Sequence, residues 1–205
     1  MSYKLILYRI RIFLLLILFI VAGCGSEEGS NDSDFNDDQV QEKNNVLLII
    51  ADDLGLDATV GYNIGDQKPS MPTLQKLINS GIKFNNVWSN PVCTPTRGTI
   101  LTGKYGYRTS VLKVDDVLST SEASIFKKLN DNTNYGSAFI GKWHLSGRPP
   151  DRNHPNNMGI EYYSGILGGG VQNYFNWTLS KNGQNSNVNQ YITSFFTDEA
   201  ISWIN

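Results

Sequence analysis

Residues 44–55 read NNVLLIIADDLG, and the apolar run within them is the strongest indication of the fold class. The run extends from Val46 to Ala51 and is bounded by polar residues and a glycine. Such a run is typical of a strand buried on both faces, as in a parallel sheet that helices cover. We therefore predict that residues 46–51 form the first strand of a largely parallel sheet.

Two carboxylates, Asp52 and Asp53, follow this predicted strand directly. In open α/β sheets the ligand crevice lies outside the carboxyl ends of the strands. Carboxylate oxygens are hard donors that suit Ca²⁺ or Mg²⁺. The simpler interpretation is an Asx turn that caps a helix, and the pair alone does not decide between the two.

Helices and strands alternate along the rest of the chain, which predicts an α/β fold with helices on both faces of the sheet. Apolar spacing, proline and glycine positions and a Ser-x-x-Glu capping pattern mark these segments. The predicted elements are a helix over 71–81, a strand over 82–90, a short helix from Pro95, a helix after Ser119–Glu122, a strand over 136–145, long loops with a short hairpin over 148–190, and a helix from Thr197.

The first 24 residues predict a lipoprotein signal peptide. A basic start precedes the short apolar run 12–22, which ends in Val-Ala-Gly-Cys24. The run is short for a membrane span and suits a signal peptide. The ending resembles the lipobox of bacterial lipoproteins, which implies lipidation of Cys24; the alternative is an ordinary signal peptide or an anchor helix with an incidental cysteine. We expect an exported bacterial lipoprotein, periplasmic or at the cell surface, attached to the membrane by its lipid.

Residues 25–44 carry seven acidic residues and one lysine among Gly, Ser, Asn and Gln, which predicts a disordered tether. The folded part is then 45–205, with 13 basic and 12 acidic residues. No basic stripe indicates nucleic-acid binding, so we expect no nucleic acid as a partner.

Cys93 lies in NPVCTPTRGTILTGKYG, residues 90–106. If Cys24 is lipidated, Cys93 is the only other cysteine, and a disulfide within the folded chain is impossible. Most cysteines of this kind are small buried apolar residues. Here, however, Pro95 suits the first turn of a helix, and Arg97 follows in that same turn.

The predicted strand over 136–145 ends in GKWHL, residues 141–145. We therefore expect Lys142 and His144 to lie at the same edge of the sheet as Asp52. A cation and an imidazole could hold an anion and move a proton there. Taken alone, this signal is weak.

Together, ADDLG, C-T-P-T-R-G and GKWHL resemble the sulfatase family, close to the arylsulfatases, in order and context. The segments 160–170 and 191–204 are also similar to those that follow in the family. The resemblance covers residues 45–205 and implies an alkaline-phosphatase/sulfatase-like α/β fold. Its most specific part is Cys-x-Pro-x-Arg, the signal for oxidation of the cysteine to Cα-formylglycine. Thr96 departs from the more usual serine or alanine.

The resemblance implies that Cys93 is the precursor of a formylglycine hydrate that attacks sulfur. Asp52 and Asp53 match the metal-ligating pair of the family. They would hold Ca²⁺ (or Mg²⁺) against the hydrate at position 93 and the sulfate oxygens. The implied activity is hydrolysis of aryl or carbohydrate sulfate esters.

Three further residues match catalytic positions of the family. By this resemblance Arg97 holds the hydrate, Lys142 bridges the hydrate and a sulfate oxygen, and His144 hydrogen-bonds the second hydroxyl. His154 matches no family position, and we expect it to be structural. The expected partners are a sulfated small molecule or glycan and a formylglycine-generating enzyme.

Two alternatives remain open at this point. Formylglycine-dependent phosphonate or phosphodiester hydrolases share the fold and the motif. A non-catalytic surface lipoprotein could instead use a sulfatase-like domain to bind sulfated glycans.

Family members are longer, and their later portions supply further metal ligands, a histidine and a lysine. We therefore expect an N-terminal portion, truncated before its C-terminal part and inactive by itself.

Overall fold

The computed structural model describes residues 44–205. The predicted signal peptide and almost all of the predicted tether lie outside the described residues. Residues 50–205 form one compact unit, and residues 44–49 lie outside it. No helix within 44–205 has the length and apolar character needed to cross a membrane.

Six helices and four strands follow one another in the described part of the chain. In chain order they are α1 (Pro72–Ser80), α2 (Cys93–Thr102), α3 (Gly106–Thr109), α4 (Ile125–Asn132), β1 (Ala138–Lys142), α5 (His154–Asn157), β2 (Tyr162–Ile166), β3 (Trp177–Lys181), β4 (Gln184–Val188) and α6 (Ile192–Ile204).

The four strands form one sheet in the order β1-β2-β3-β4. β1 and β2 are parallel, with Ala138 opposite Tyr162 and Lys142 opposite Ile166. The β2–β3 and β3–β4 pairs are antiparallel. The α/β class predicted from the sequence is confirmed, and the parallel arrangement is found at the β1–β2 pair.

Helices cover both faces of this sheet, as predicted. Alternate side chains of β2 point to opposite faces. Tyr163 is fully buried in one apolar cluster, which Leu101 of α2 also enters. Ile166 is buried in a second cluster with Ile192 of α6. The two cores therefore lie on opposite sides of β2.

The strand predicted over 46–51 is wrong for the described structure. No strand is formed there, and the side chains of Val46 and Ile49 are 85% and 74% exposed. An apolar run becomes a buried strand only where other strands pair with it and helices cover it. No strand within residues 44–205 pairs with this run.

The strand predicted over 82–90 is wrong for the same reason. Ile82, Phe84 and Trp88 are exposed, and the segment has no strand partner among the described residues. The helix predicted just before it is confirmed as α1, although none of its residues is buried.

Two predicted helix starts are also corrected. The N-cap of α4 is the buried Ser124 rather than Ser119, because its Oγ accepts a hydrogen bond from Lys127 N at 3.1 Å. Helix α6 begins at Ile192 rather than Thr197. Phe195, in the added turn, packs edge-on against the Trp177 ring at 5.2 Å. That aromatic contact accounts for the earlier start.

The region 148–190 contains more regular structure than the loops and one short hairpin that the sequence predicts. It includes the strand β2, and its hairpin is β3–β4. Asn182 and Gly183 connect the hairpin strands, and both have positive φ values, 43° and 79°. Asn-Gly is the typical dipeptide for a tight two-residue hairpin turn.

Candidate active site

The candidate site lies at the carboxyl ends of the parallel strands β1 and β2. Beyond the last ladder pair the two chains stay side by side, with His144 N donating to Leu167 O at 3.1 Å. The N-terminus of α2 approaches the same edge and places Cys93 there. The first turn of this ten-residue helix contributes a partial positive charge.

Cys93 is the first residue of α2, and its side chain contacts His144. Its Sγ lies 3.2 Å from Nδ1 of the imidazole. Cys93 is half-buried, whereas His144 is buried. A thiol and an imidazole are therefore in hydrogen-bond contact, although 51 residues separate them in the sequence.

The other ring nitrogen of His144 contacts a residue that the sequence did not single out. Nε2 lies 2.9 Å from Oδ1 of Asp115. Gly169 lies against the same ring, where a Cβ at this position would stand 2.7 Å from Cε1 of His144. No pattern in the sequence marks Asp115, whereas the glycine run 168–170 was a detectable signal of close approach.

Arg97 is buried within the first turns of α2 and reaches across to two other segments. It donates to the main-chain oxygen of Lys142, and its Nη2 lies 3.3 Å from Oδ1 of Asp52. Its Nε is buried and has no hydrogen-bond partner among the described residues.

Lys142, the last residue of β1, forms a second ion pair with Asp52. Its Nζ lies 2.6 Å from Oδ2 of the carboxylate. Partial burial alone would raise the pKa of Asp52, but the hydrogen bond from Lys142 and the charge of Arg97 outweigh it. The pKa of Asp52 is lowered as a result, so the carboxylate stays ionised.

Asp53 does not join this network. It is exposed, and its backbone has a φ of 56°, which turns the chain directly after Asp52. Within residues 44–205, no group of three or more His, Cys, Asp or Glu side chains is arranged to hold a metal ion. The described residues therefore offer carboxylate donors but not a complete metal cage.

His154 is structural in this fold. Its Nδ1 accepts from Trp143 Nε1 at 3.1 Å, and its Nε2 donates to Leu118 O at 2.7 Å. Burial lowers the pKa of His154, and the hydrogen bond to Leu118 opposes this only in part. The histidine is therefore held neutral in the core.

Five of the residues singled out in the sequence lie together at this edge of the sheet. They are Asp52, Cys93, Arg97, Lys142 and His144. Cys93 contacts His144, and Arg97 and Lys142 both contact Asp52. A cysteine beside a histidine, with two cations nearby, is typical of an enzyme site for an anionic substrate.

The sulfatase family model matches residues 44–205, and the chain belongs to the sulfatase family. The match contains every residue of the cluster described above. It also includes the exposed runs 46–51 and 82–90, so the family pattern extends over the segments whose strands are not formed.

Several characterised relatives are sulfatases. The chain is 29% identical to an N-acetylglucosamine-6-O-sulfatase of Bacteroides thetaiotaomicron over 164 residues, which is 78% of this chain and 27% of the relative. It is 35% identical to an ulvan-active sulfatase of Formosa agariphila, covering 60% of this chain and 24% of the relative. Human arylsulfatase H is 31% identical, with the same two coverages.

One similar solved structure is a complex of a protein with its substrate D-glucosamine-2-N,6-O-disulfate. It matches with a TM-score of 0.60 and 27% identity, covering 73% of this chain and 28% of the other. The matched part of this chain spans about a quarter of the length of these relatives.

Proposed function

We propose that the protein hydrolyses sulfate esters and that its nucleophile is a formylglycine hydrate made from Cys93. One observation carries the proposal: in a chain of the sulfatase family, Cys93 begins α2 within CTPTR and contacts His144 at 3.2 Å. Cys93 lies in the first turn of α2, and His144 follows β1 with its backbone N–H bonded to Leu167 O, so both residues are held by regular parts of the fold.

Maturation is an oxidation at Cβ of Cys93. The C–S bond and one C–H bond break, a C=O bond forms with an oxygen from water, and sulfur leaves as H2S while two electrons and two protons pass to an oxidant supplied by the maturing enzyme. Water then adds to the aldehyde to give a hydrate. The half-buried position of Cys93 leaves residue 93 in contact with the edge where a substrate would enter.

The hydrate divides the reaction into two steps. In the first, one hydroxyl oxygen attacks sulfur, the bond from sulfur to the alcohol oxygen breaks, and the alcohol leaves with the proton. In the second, the other hydroxyl loses its proton, the aldehyde re-forms, and the C–O bond releases sulfate with its electron pair. Nδ1 of His144 is the group placed to accept that second proton.

Arg97 and Lys142 stabilise the negative charges of this reaction. The guanidinium of Arg97 is held in the site by its contacts with Lys142 O and Asp52, and its Nε has no partner among the described residues. The side chain of Lys142 is 15% exposed, and its ammonium pairs with Asp52 at the same edge. Positive charge held in a partly buried site binds a sulfate group more strongly than it would in open water.

The carboxylates Asp52 and Asp53 have the donor chemistry that Ca²⁺ prefers, with Mg²⁺ as the alternative. Two carboxylates are fewer ligands than the roughly six to eight oxygens that Ca²⁺ takes, so they would form part of a metal site. When bound, the ion supplies a Lewis acid for the sulfate oxygens. Asp52 would then exchange part of its ion pairing for the metal.

Sulfated carbohydrates are the substrate class that we propose. Two of the relatives described above are named for N-acetylglucosamine-6-sulfate and for ulvan. We also propose that the lipid on Cys24 attaches the protein to a bacterial membrane, so that it meets glycans outside the cytoplasm.

The proposal is tested with the natural gene product, co-expressed with a formylglycine-generating enzyme. We expect release of inorganic sulfate from N-acetylglucosamine-6-sulfate or a sulfated polysaccharide, loss of release on chelation, and its recovery with Ca²⁺. Cys93→Ala should abolish release. Cleavage of phosphodiesters in place of sulfate esters, or full release by Cys93→Ala, would overturn the proposal.

A further inference from the structure

We propose that Asp115 is a positioning residue that fixes the tautomer of His144, so that Nδ1 faces residue 93 as a hydrogen-bond acceptor. The geometry stands on the described contacts alone. Its consequence for turnover rests on the function proposed above. No sequence motif points to this aspartate; the fold brings it to the imidazole.

The tautomer follows from the chemistry of the two contacts of His144. An ionised carboxylate can only accept a hydrogen bond, so the contact between Nε2 and Asp115 Oδ1 at 2.9 Å requires the proton on Nε2. In a neutral imidazole, Nδ1 then carries a lone pair. This lone pair faces Sγ of Cys93 at 3.2 Å. A flipped ring would place carbon atoms at both contacts.

The backbone around Asp115 is fixed by the helix that carries Cys93. Asp115 N donates to Oγ1 of Thr94, a fully buried residue directly after Cys93. The φ of Asp115 is 64°, in the left-handed region, where aspartate and asparagine are tolerated best among residues with a side chain. One short helix start therefore positions both the nucleophile precursor and the carboxylate.

The segment after Asp115 pairs with the backbone segment that follows His144. Leu118 N donates to Leu145 O at 3.0 Å, and Val117 pairs with Ser146 in an isolated antiparallel bridge. Asp115 and His144 therefore face each other across two adjacent backbones. His144 is buried and Asp115 is half-buried, so the contact is only partly open to solvent.

A second charge near Asp115 has a smaller role. Arg148 Nε lies 3.4 Å from Oδ2, the oxygen that does not contact the imidazole. The Arg148 side chain is 80% exposed, and exposed ion pairs contribute little. The carboxylate is thus oriented by the backbone contacts, with one oxygen directed to His144.

The consequence is a defined direction of proton transfer. When the hydroxyl that remains on residue 93 gives its proton to Nδ1, the imidazole becomes positively charged. The carboxylate of Asp115 then stabilises that charge through the hydrogen bond on the opposite nitrogen. A neutral ring that already carries its proton on Nδ1 could not accept a second proton at that nitrogen. The relationship is analogous to that of the histidine and aspartate in serine hydrolases, with the roles of the two ring nitrogens exchanged.

The test uses ring-nitrogen NMR on the 205-residue chain, made without a maturing enzyme so that Cys93 keeps its thiol. The chain contains only two histidines, so only two imidazoles are seen. We expect His144 to carry its proton on Nε2. His154 is an internal control for folding, because Trp143 and Leu118 fix its tautomer independently. A proton on Nδ1 of His144 in the folded chain would overturn the proposal.

The variant Asp115→Asn keeps the left-handed backbone but offers both an N–H and an oxygen to Nε2. We expect a large loss of the Nε2-protonated form of His144, with His154 unchanged. Asp116→Asn is the matched control: this neighbouring carboxylate accepts from Leu112 N and Lys113 N and stabilises the turn. An unchanged His144 in folded Asp115→Asn would show that the carboxylate does not fix the tautomer.

In the matured natural gene product, Asp115→Asn should lower kcat by about 10²- to 10⁴-fold with little change in KM, the range expected for a displaced general base. Asp116→Asn should leave both constants nearly unchanged. The NMR tautomer of His144 and the turnover of the matured protein together distinguish failure of the proposed function from failure of the positioning role. If the tautomer is as proposed but no sulfate is released by the wild type, the proposed function fails and the positioning role stands. If the wild type turns over and Asp115→Asn retains full kcat, the positioning role fails.

Discussion

Arg97 and Asp52 form an ion pair, with Nη2 3.3 Å from Oδ1, although 45 residues separate them in the sequence. The same guanidinium also donates to the main-chain oxygen of Lys142, so one side chain joins α2, β1 and the segment after residue 51. This double contact needs a planar group with several N–H donors.

Arg97→Lys should therefore destabilise the fold even though the charge is kept. An ammonium cannot serve both acceptors with the same geometry, and one buried polar group would lose its partner. We expect the free energy of unfolding to fall by about 1–3 kcal/mol in urea denaturation. Arg108→Lys is the matched control, since Arg108 is exposed and its guanidinium lies over the Tyr107 ring, 5.9 Å from the ring centroid. Equal stability of the two variants would contradict the bridging role.

Gly169→Ala should displace the imidazole of His144. The new methyl group would stand 2.7 Å from Cε1 of His144, which is shorter than van der Waals contact, so the ring has to move. We expect shifted ring-nitrogen signals of His144 and at least an approximately tenfold fall in kcat, corresponding to about 1.4 kcal/mol. Gly168→Ala is the control, because a Cβ there meets nothing within 4 Å. Identical behaviour of the two variants would refute the packing argument.

The stability of the fold should depend on His154 in mild acid. Burial keeps the pKa of this imidazole below the usual histidine value of about 6.5. The unfolded chain therefore takes up the proton first as the pH falls. The stabilisation is complete above about pH 6.5 and is lost as the pH falls toward the lower folded pKa, by at most about 1.4 kcal/mol per pH unit.

His154→Gln removes the group that takes up a proton in mild acid. The glutamine amide can still donate a hydrogen bond to Leu118 O and accept one from Trp143. We expect the free energy of unfolding of the variant to change less between pH 6.5 and pH 5 than that of the wild type. The measurement is urea denaturation at several pH values. The same slope for both proteins would mean that His154 is not the residue responsible.

The lipid anchor is tested by Cys24→Ser. If Cys24 is lipidated, this change should move the protein from the membrane fraction to the soluble fraction or block its export, because serine accepts no lipid at this position. The apolar run 12–22 is kept, so any remaining membrane association of the variant measures the contribution of an uncleaved signal peptide. Unchanged fractionation of the mature protein would count against lipidation.

The clustering of Cys93, Arg97, Lys142 and His144 could be predicted from the sequence, because short motifs place these residues at a helix start and at a strand end. The contribution of Asp115 could not. It reaches His144 through hydrogen bonds of its backbone to Thr94 and of Leu118 to Leu145, and none of these has a local pattern.

The strands were predicted less well than the site. The run 46–51 has the composition of a buried strand, but composition records only a tendency to be buried. Whether a strand forms depends on the segments that pair with it, and no strand within residues 44–205 does so. The hairpin over 177–188 shows the opposite case. Its Asn182-Gly183 turn favours pairing of the two flanking strands, so these two residues are enough to predict the position of the hairpin.

The central claim is that Cys93 is a precursor rather than a thiol catalyst. It is tested most directly by mass spectrometry of the peptide that contains residues 90–106, after co-expression with a formylglycine-generating enzyme. We expect the aldehyde, or its hydrate, in place of the thiol at position 93, and an unmodified cysteine in Arg97→Lys, where the maturation signal is altered. A fully retained thiol at Cys93 in a protein that nevertheless releases sulfate would contradict the account.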